Sequence, residues 1–209
     1  PKAVVVGLCN QLLFLPLIGF AIVVLFDLNP TMAIGVMILS VCPGGPTSNL
    51  ITQVSRGNIG LSVTLTALAS LITVFTIPVL LSKAIAYFTG DTDVVIQLPI
   101  LETMLQILMI TVIPISIGML IRKRREAFAL RMEKPMRTAS TVLFVIIFLI
   151  IIIANKDNLT QAMKEVGLPT LLLNLSTMGL GYLSAKLFGI TGKSQISITI
   201  ESGIQNGTL

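Results

Sequence analysis

Residues 42–49 read Cys42-Pro43-Gly44-Gly45-Pro46-Thr47-Ser48-Asn49, set between the apolar run Met32–Val41 and Leu50-Ile51-Thr52. A proline removes a backbone donor and clashes with the preceding turn, and glycine has poor helix propensity. Two of each in four residues unwind a helix near its middle. Irregular backbone at membrane depth persists only where protein or a water-filled cavity surrounds it. A plain kink packed against neighbouring helices is the simpler reading. Thr47, Ser48 and Asn49 follow the break directly, however, and such side chains cap a new helix start and offer oxygens.

That the break lies in a membrane follows from the rest of the chain. Of its 209 residues 54% are hydrophobic and only 11% charged, His is absent, and the mean hydropathy is +0.97. A soluble domain carries about 25% charged residues. Spanning the hydrocarbon core takes about 20 apolar residues as helix. The uncharged runs Ala3–Phe26, Ile59–Ser82 and Thr103–Ile121 meet that length, and Thr138–Ala154 and Leu168–Ala185 come just below it. The expected spans are about 3–26, 31–54, 59–82, 99–121, 138–154, 168–186 and 194–209, the last incomplete. Lys2 before an apolar run resembles the start of a signal peptide, but no small-residue cleavage site with a polar mature chain follows. The chain reads as a piece of a longer polytopic protein.

Cytoplasmic loops carry an excess of Lys and Arg. The stretch 122–137 holds Arg122, Lys123, Arg124, Arg125, Arg131, Lys134 and Arg137 against Glu126 and Glu133. It is expected to be a cytoplasmic loop, with a membrane-lipid contact as a further role. Alternation puts Lys2, Arg56, Lys186 and Lys193 on the same side. Asp27, Asp91, Asp93 and the mixed group Lys156, Asp157, Lys164 and Glu165 fall opposite. The net charge of +5 is therefore a topology signal and gives no reason to expect nucleic-acid binding. Cys9 and Cys42 read as small buried hydrophobes. With no His and no clustered Cys, a transition-metal site is not expected.

The final segment also departs from a plain helix, reading Glu201-Ser202-Gly203-Ile204-Gln205-Asn206-Gly207. An ionisable residue in a span is by default a functional hypothesis. Its plainer reading is a glutamate at the cytoplasmic interface, a few apolar residues beyond Lys193. Two broken segments of opposite direction, each polar at the break, match the inverted-repeat plan of secondary transporters. Gln11 and Asn10 interrupt the first span. Ser62 and Thr66 lie one helical turn apart in the third. Taken singly, such residues bond backbone carbonyls. Taken with Asn49 and Glu201, they would form an oxygen cage around one carboxylate, which suits a hard monovalent cation. Glu102 is expected at the outer interface.

At these residues the sequence resembles the bile acid:sodium symporter family, particularly its bacterial members. The resemblance rests on Cys42-Pro43-Gly44-Gly45 with Ser48-Asn49, on Arg56-Gly57-Asn58, on Glu201 to Asn206, and on Pro1-Lys2-Ala3-Val4 with Gln11. It implies an all-α membrane fold with two crossing discontinuous helices and with core and panel domains. Core-type spans would be about 3–26, 31–54, 59–82, 168–186 and 194–209, and panel-type spans about 99–121 and 138–154. It also implies two sodium sites. One would use Ser48, Asn49, Ser62, Thr66 and Glu201. The other would use Gln11, Glu201, Gln205 and backbone oxygens near Ser202 and Ile204. Asn206 and Thr47 would contact the substrate, a small organic anion.

Two departures from the family pattern bear on the substrate. Pro46 stands where relatives have Thr or another small residue, which removes one N–H from the helix start, with Thr47 to compensate. Met178 stands where relatives often have Asn, just before Gly179-Leu180-Gly181-Tyr182. The expected function is sodium symport in a bacterial inner membrane. Proton- or metalloid-linked efflux is the alternative, with Glu201 as proton carrier or Cys42 as the metalloid-reactive thiol. No enzymatic activity and no organic cofactor are expected, because nothing resembles a Ser–His pair or a phosphate loop.

Overall fold

The computed structural model describes residues 1–90, 101, 102, 105, 108, 109, 113–154 and 156–206. Asp91, Asp93, Thr103, Gly207 and much of the expected span 99–121 therefore lie outside the described residues. All regular elements among the described residues are helical.

The chain begins with α1 (Lys2–Cys9), a π-helical segment (Asn10–Phe14) and α2 (Leu15–Leu25), which together make one apolar helix of 24 residues. Pro16, at the start of α2, has no N–H to continue the α ladder, and the wider π turn immediately before it accommodates that loss. Next comes α3 (Pro30–Val41), started by Asn29, whose Oδ1 accepts the Met32 N–H at 3.0 Å. It stops at Cys42 because a residue before proline is pushed to extended backbone, here ψ 140°. Gly45 is extended for the same reason, since Pro46 follows it and opens α4 (Pro46–Val54). Asn58 caps α5 (Ile59–Thr89) by accepting the Leu61 N–H at 3.1 Å.

The remaining helices are α6 (Ile113–Arg124), α7 (Glu126–Ala154), α8 (Lys156–Leu187) and α9 (Lys193–Gly203). The basic stretch 122–137, expected to be a loop, is helical except for Arg125. Its Arg, Lys, Glu, Ala, Met and Leu residues are good helix formers, so charge marks the end of the apolar run without ending the helix. Likewise α8 starts at Lys156, well before the apolar run that begins at Leu168.

Lys2–Leu25, Ile59–Thr89 and Met163–Leu187 are each long and apolar enough to cross a membrane, and α3 is a shorter apolar helix. Leu17, Val63, Phe75, Leu175 and Leu183 are exposed along these helices. Lipid tails would cover such surfaces, since transmembrane helices bury their backbone polar groups internally and present apolar side chains outward. Cys9 is exposed too, contrary to expectation. It points away from the face carrying Val6, Gly7, Asn10 and Gln11, and an apolar residue in a span need not be covered by protein.

The chain divides into two compact units, residues 1–105 with 165–209 and residues 106–164. In the first, Leu15, Val23, Ala33, Val36 and Leu173 form one core, and Val6, Leu61, Leu65, Ala185 and Ile198 form another. The second core seats α9 against α1 and α5, which brings Glu201 inward.

Candidate functional site

The two broken segments meet. Gly44 and Gln205 pair as an isolated antiparallel bridge, and the Asn206 N–H donates to Pro43 O at 2.7 Å. Extended backbone on both sides of this crossing leaves donors and acceptors free of any helix, and the two breaks satisfy part of that need mutually. The approach depends on missing side chains. A Cβ on Gly45 would stand 2.9 Å from Asn206 Cβ and Cγ, and one on Gly44 would overlap Glu201 Oε2.

Glu201 is the centre of the site, with 1% of its surface exposed. Protein thus encloses its side chain. Its Oε1 lies 2.8 Å from Ser48 Oγ of α4 and also accepts from Ser62 Oγ of α5. Its Oε2 lies 3.0 Å from Thr66 Oγ1 and 3.3 Å from Gln11 Nε2. Asn49 joins the group through Ser62 Oγ at 2.7 Å and Thr66 Oγ1 at 3.3 Å. Five residues expected to share one site, Ser48, Asn49, Ser62, Thr66 and Glu201, are thus brought together from α4, α5 and α9. In contrast, Thr64 and Thr177 bond carbonyls of their own helices, at 2.7 and 2.8 Å.

The proton count at this cluster tests whether a cation suits it. Each hydroxyl carries one proton. Ser48 Oγ nevertheless has two acceptors in reach, Gly45 O at 2.7 Å and the Glu201 carboxylate. Ser62 Oγ likewise faces both Asn49 Oδ1 and Glu201 Oε1, with Thr52 Oγ1 at 3.3 Å. Oxygen therefore crowds against oxygen around a buried carboxylate. A hard cation relieves such crowding, and one carboxylate with neutral donors matches a single positive charge.

The second expected set is only partly assembled. Gln11 Nε2 donates to Glu201 O at 2.8 Å, while Gln11 Oε1 is buried with no hydrogen-bond partner among the described residues. An orphaned buried amide oxygen is costly. Turning the carboxamide, whose oxygen and nitrogen are assigned from hydrogen bonding, would aim that oxygen at Glu201. It would then be a fitting ligand for a cation there. Gln205 folds back, its Nε2 donating to Ser202 O at 3.1 Å, with no bond to Gln11 or Glu201 among the described residues.

The two expected substrate contacts differ. Asn206 lies at the crossing, packed on Gly45, whereas Thr47 is exposed on the first turn of α4. Gly45 is the N-cap of α4, its N–H donating to Ser48 Oγ at 3.1 Å. Helix N-termini carry partial positive charge, so this end of α4 favours an anion. The chain after residue 206 lies outside the described residues. Met178 packs on Gly203 beside the crossing, so that departure from the family pattern sits against the site itself. Cys42 is buried at the end of α3.

Two contributors, Thr52 and Ser197, were not singled out from sequence, and a third, Asn10, was noted only as interrupting the first span. Thr52 is fully buried beside Ser62. Asn10, adjacent to Gln11 on the π segment, donates to Ser184 Oγ at 2.8 Å and to Ser202 Oγ at 3.4 Å. Ser197 Oγ accepts the Asn58 N–H at 2.7 Å and ties the start of α5 to α9. A polar residue inside a span was the only signal available for each.

Known proteins share this sequence pattern. A probable chloroplastic sodium/metabolite cotransporter of Arabidopsis thaliana is 30% identical over the whole chain, which covers 50% of that protein. An uncharacterized sodium-dependent transporter of Bacillus subtilis is 28% identical, again over the whole chain and 63% of its own length. The human ileal sodium/bile acid cotransporter is 29% identical over the whole chain and 59% of its length. The chain thus spans about half to three fifths of the length of these relatives, all of them transporters rather than enzymes. The model of the sodium bile acid symporter family matches residues 1–162, and this chain belongs to that family.

Proposed function

We propose that the protein containing this chain is a sodium-coupled symporter of a small organic anion, working by alternating access. The observation that carries the reading is the convergence of Ser48, Ser62, Thr66 and Gln11 on the buried carboxylate of Glu201. The names of the relatives support sodium as the coupling ion.

In this reading one sodium ion is held by Ser48, Asn49, Ser62, Thr66 and Glu201. A second is held by Gln11, Glu201 and backbone oxygens near Ser202 and Ile204, with Gln205 joining after its side chain turns. Bound sodium neutralises Glu201 and locks the crossing. An anion then binds against Asn206 and the start of α4, and Thr47 supplies a hydroxyl where Pro46 offers no N–H. The unit of residues 1–105 and 165–209 is the core domain and the unit of residues 106–164 belongs to the panel domain. The two broken segments come from inverted repeats, and the basic stretch 122–137 lies on the cytoplasmic side of a bacterial inner membrane. Burial of Cys42 disfavours metalloid efflux, which needs an accessible thiol.

The test is thermal unfolding of the purified full-length protein in sodium chloride and in choline chloride, followed by uptake of small carboxylates in the same salts. Sodium should raise the melting temperature, and Glu201→Ala should abolish the rise. Equal melting in the two salts would overturn the sodium sites, and carboxylate uptake that runs equally well in choline would overturn symport.

A further inference from the structure

The net charge of the whole chain is +5, and the stretch 122–137 alone contributes seven basic residues against two acidic. The rest of the chain is therefore neutral in sum. Setting a membrane orientation needs only an excess of Lys and Arg, so the concentration of all of it on one helical hairpin calls for a partner.

That hairpin carries a groove. A cavity of about 270 Å³ lies between α6 and α7, walled by Gly118 and Arg122 on the first helix and by Ala129, Met132, Glu133 and Met136 on the second. Arg122 stands one turn beyond Gly118, so an apolar floor runs directly into a guanidinium. Arg122, Lys123, Arg124 and Arg125 are all exposed, as are Met119, Leu120 and Phe128 around them. Basic and apolar groups interleaved at the end of an apolar span describe a surface at the headgroup level of a bilayer. Beyond Met136 the same helix continues into the exposed apolar residues Val142, Leu143, Val145 and Ile146, a path that acyl chains can cover.

We propose that the groove between α6 and α7 binds one anionic phospholipid, its phosphate on Arg122 and its acyl chain along Gly118, Met132 and Met136. Charge complementarity selects this occupant. A guanidinium forms paired hydrogen bonds with phosphate oxygens, and the neighbouring cations hold an anionic headgroup but repel a cationic peptide. Glu133 is the single carboxylate in the lining and opposes the phosphate, so it lowers the affinity that Arg122 provides. The groove shares no residue with the Glu201 cluster, and the proposal does not depend on the transport reading.

The experiment is native mass spectrometry of the purified full-length protein released from nanodiscs of phosphatidylcholine, phosphatidylethanolamine and phosphatidylglycerol in equal parts. Phosphatidylglycerol should be retained in preference to both others. Arg122→Gln should cut that preference roughly fivefold, the worth of one basic residue near an anionic surface. Glu133→Gln should raise it. Gly118→Leu keeps every charge but projects a side chain into the groove, and its Cβ meets nothing within 4 Å. It should abolish retention. Equal retention of all three lipids, or stronger retention of phosphatidylethanolamine, would overturn the proposal. So would a phosphatidylglycerol preference that survives Gly118→Leu, since the attraction would then be a diffuse surface effect.

Discussion

Glu201 fills the space that a side chain at Gly44 would need: a Cβ built on Gly44 would overlap Oε2 of Glu201. The carboxylate can sit against the broken backbone only because position 44 has no side chain. Gly44→Ala should therefore push Glu201 away from Thr66 and Gln11. We expect sodium-dependent stabilisation to fall at least tenfold in apparent affinity, with a stability loss of about 1–3 kcal/mol from overpacking. Gly35, where a Cβ meets nothing within 4 Å, is the matched control, and Gly35→Ala should behave as the parent. Equal sodium responses in the two variants would refute the close approach.

Charge and shape at Glu201 can be separated. Glu201→Gln keeps the size of the side chain, and its amide oxygen can still accept from Ser48 and Ser62 while its NH2 donates to Thr66 Oγ1, but it removes the negative charge those hydroxyls surround. In choline chloride the variant should melt at or above the parent temperature, because a neutral amide is cheaper to bury than a carboxylate. In sodium chloride it should show no added stabilisation, where the parent gains about 2.7 kcal/mol at a hundredfold excess over Kd. A sodium response retained by Glu201→Gln would move the ion elsewhere.

Gln11 reports on the second ion. Its Nε2 lies 3.3 Å from Glu201 Oε2, which the first site also uses, while its Oε1 has no partner among the described residues. Gln11→Ala should leave a sodium response but remove cooperativity, lowering the Hill coefficient of sodium-dependent uptake from above one to about one. A coefficient unchanged by Gln11→Ala would mean that this residue serves no second ion.

The site residues were legible where a membrane makes polarity expensive. Glu201, Asn49 and Gln11 stand out in apolar runs, and the breaks at Pro43–Pro46 and Gly203 follow from backbone chemistry alone. What sequence did not supply was pairing across distance. Gln11 and Glu201 are 190 residues apart, and nothing in either segment tells that their side chains bond. Helix ends were also misjudged where charge and helicity part, since 126–137 is as good a helix former as the apolar run that follows it. Asn10 shows the same limit at closer range. Consecutive residues of an α-helix point about 100° apart, so Asn10 and Gln11 did not read as two parts of one site. The π segment turns both inward.

That geometry makes Asn10 the sharpest remaining test. Its amide links Ser184 of α8 to Ser202 of α9, and the Ser202 carbonyl in turn accepts from Gln205. Asn10→Ala leaves two hydroxyls, buried Ser202 and half-buried Ser184, without their donor, at a cost of about 1–3 kcal/mol. A purely structural role would stop there. If Asn10 also positions the crossing, the sodium concentration for half-maximal uptake should rise several-fold while maximal uptake is kept. Leu13→Ala, on the exposed side of the same π segment, should change neither quantity. Loss of melting temperature in Asn10→Ala without any shift in sodium half-saturation would confine this residue to packing.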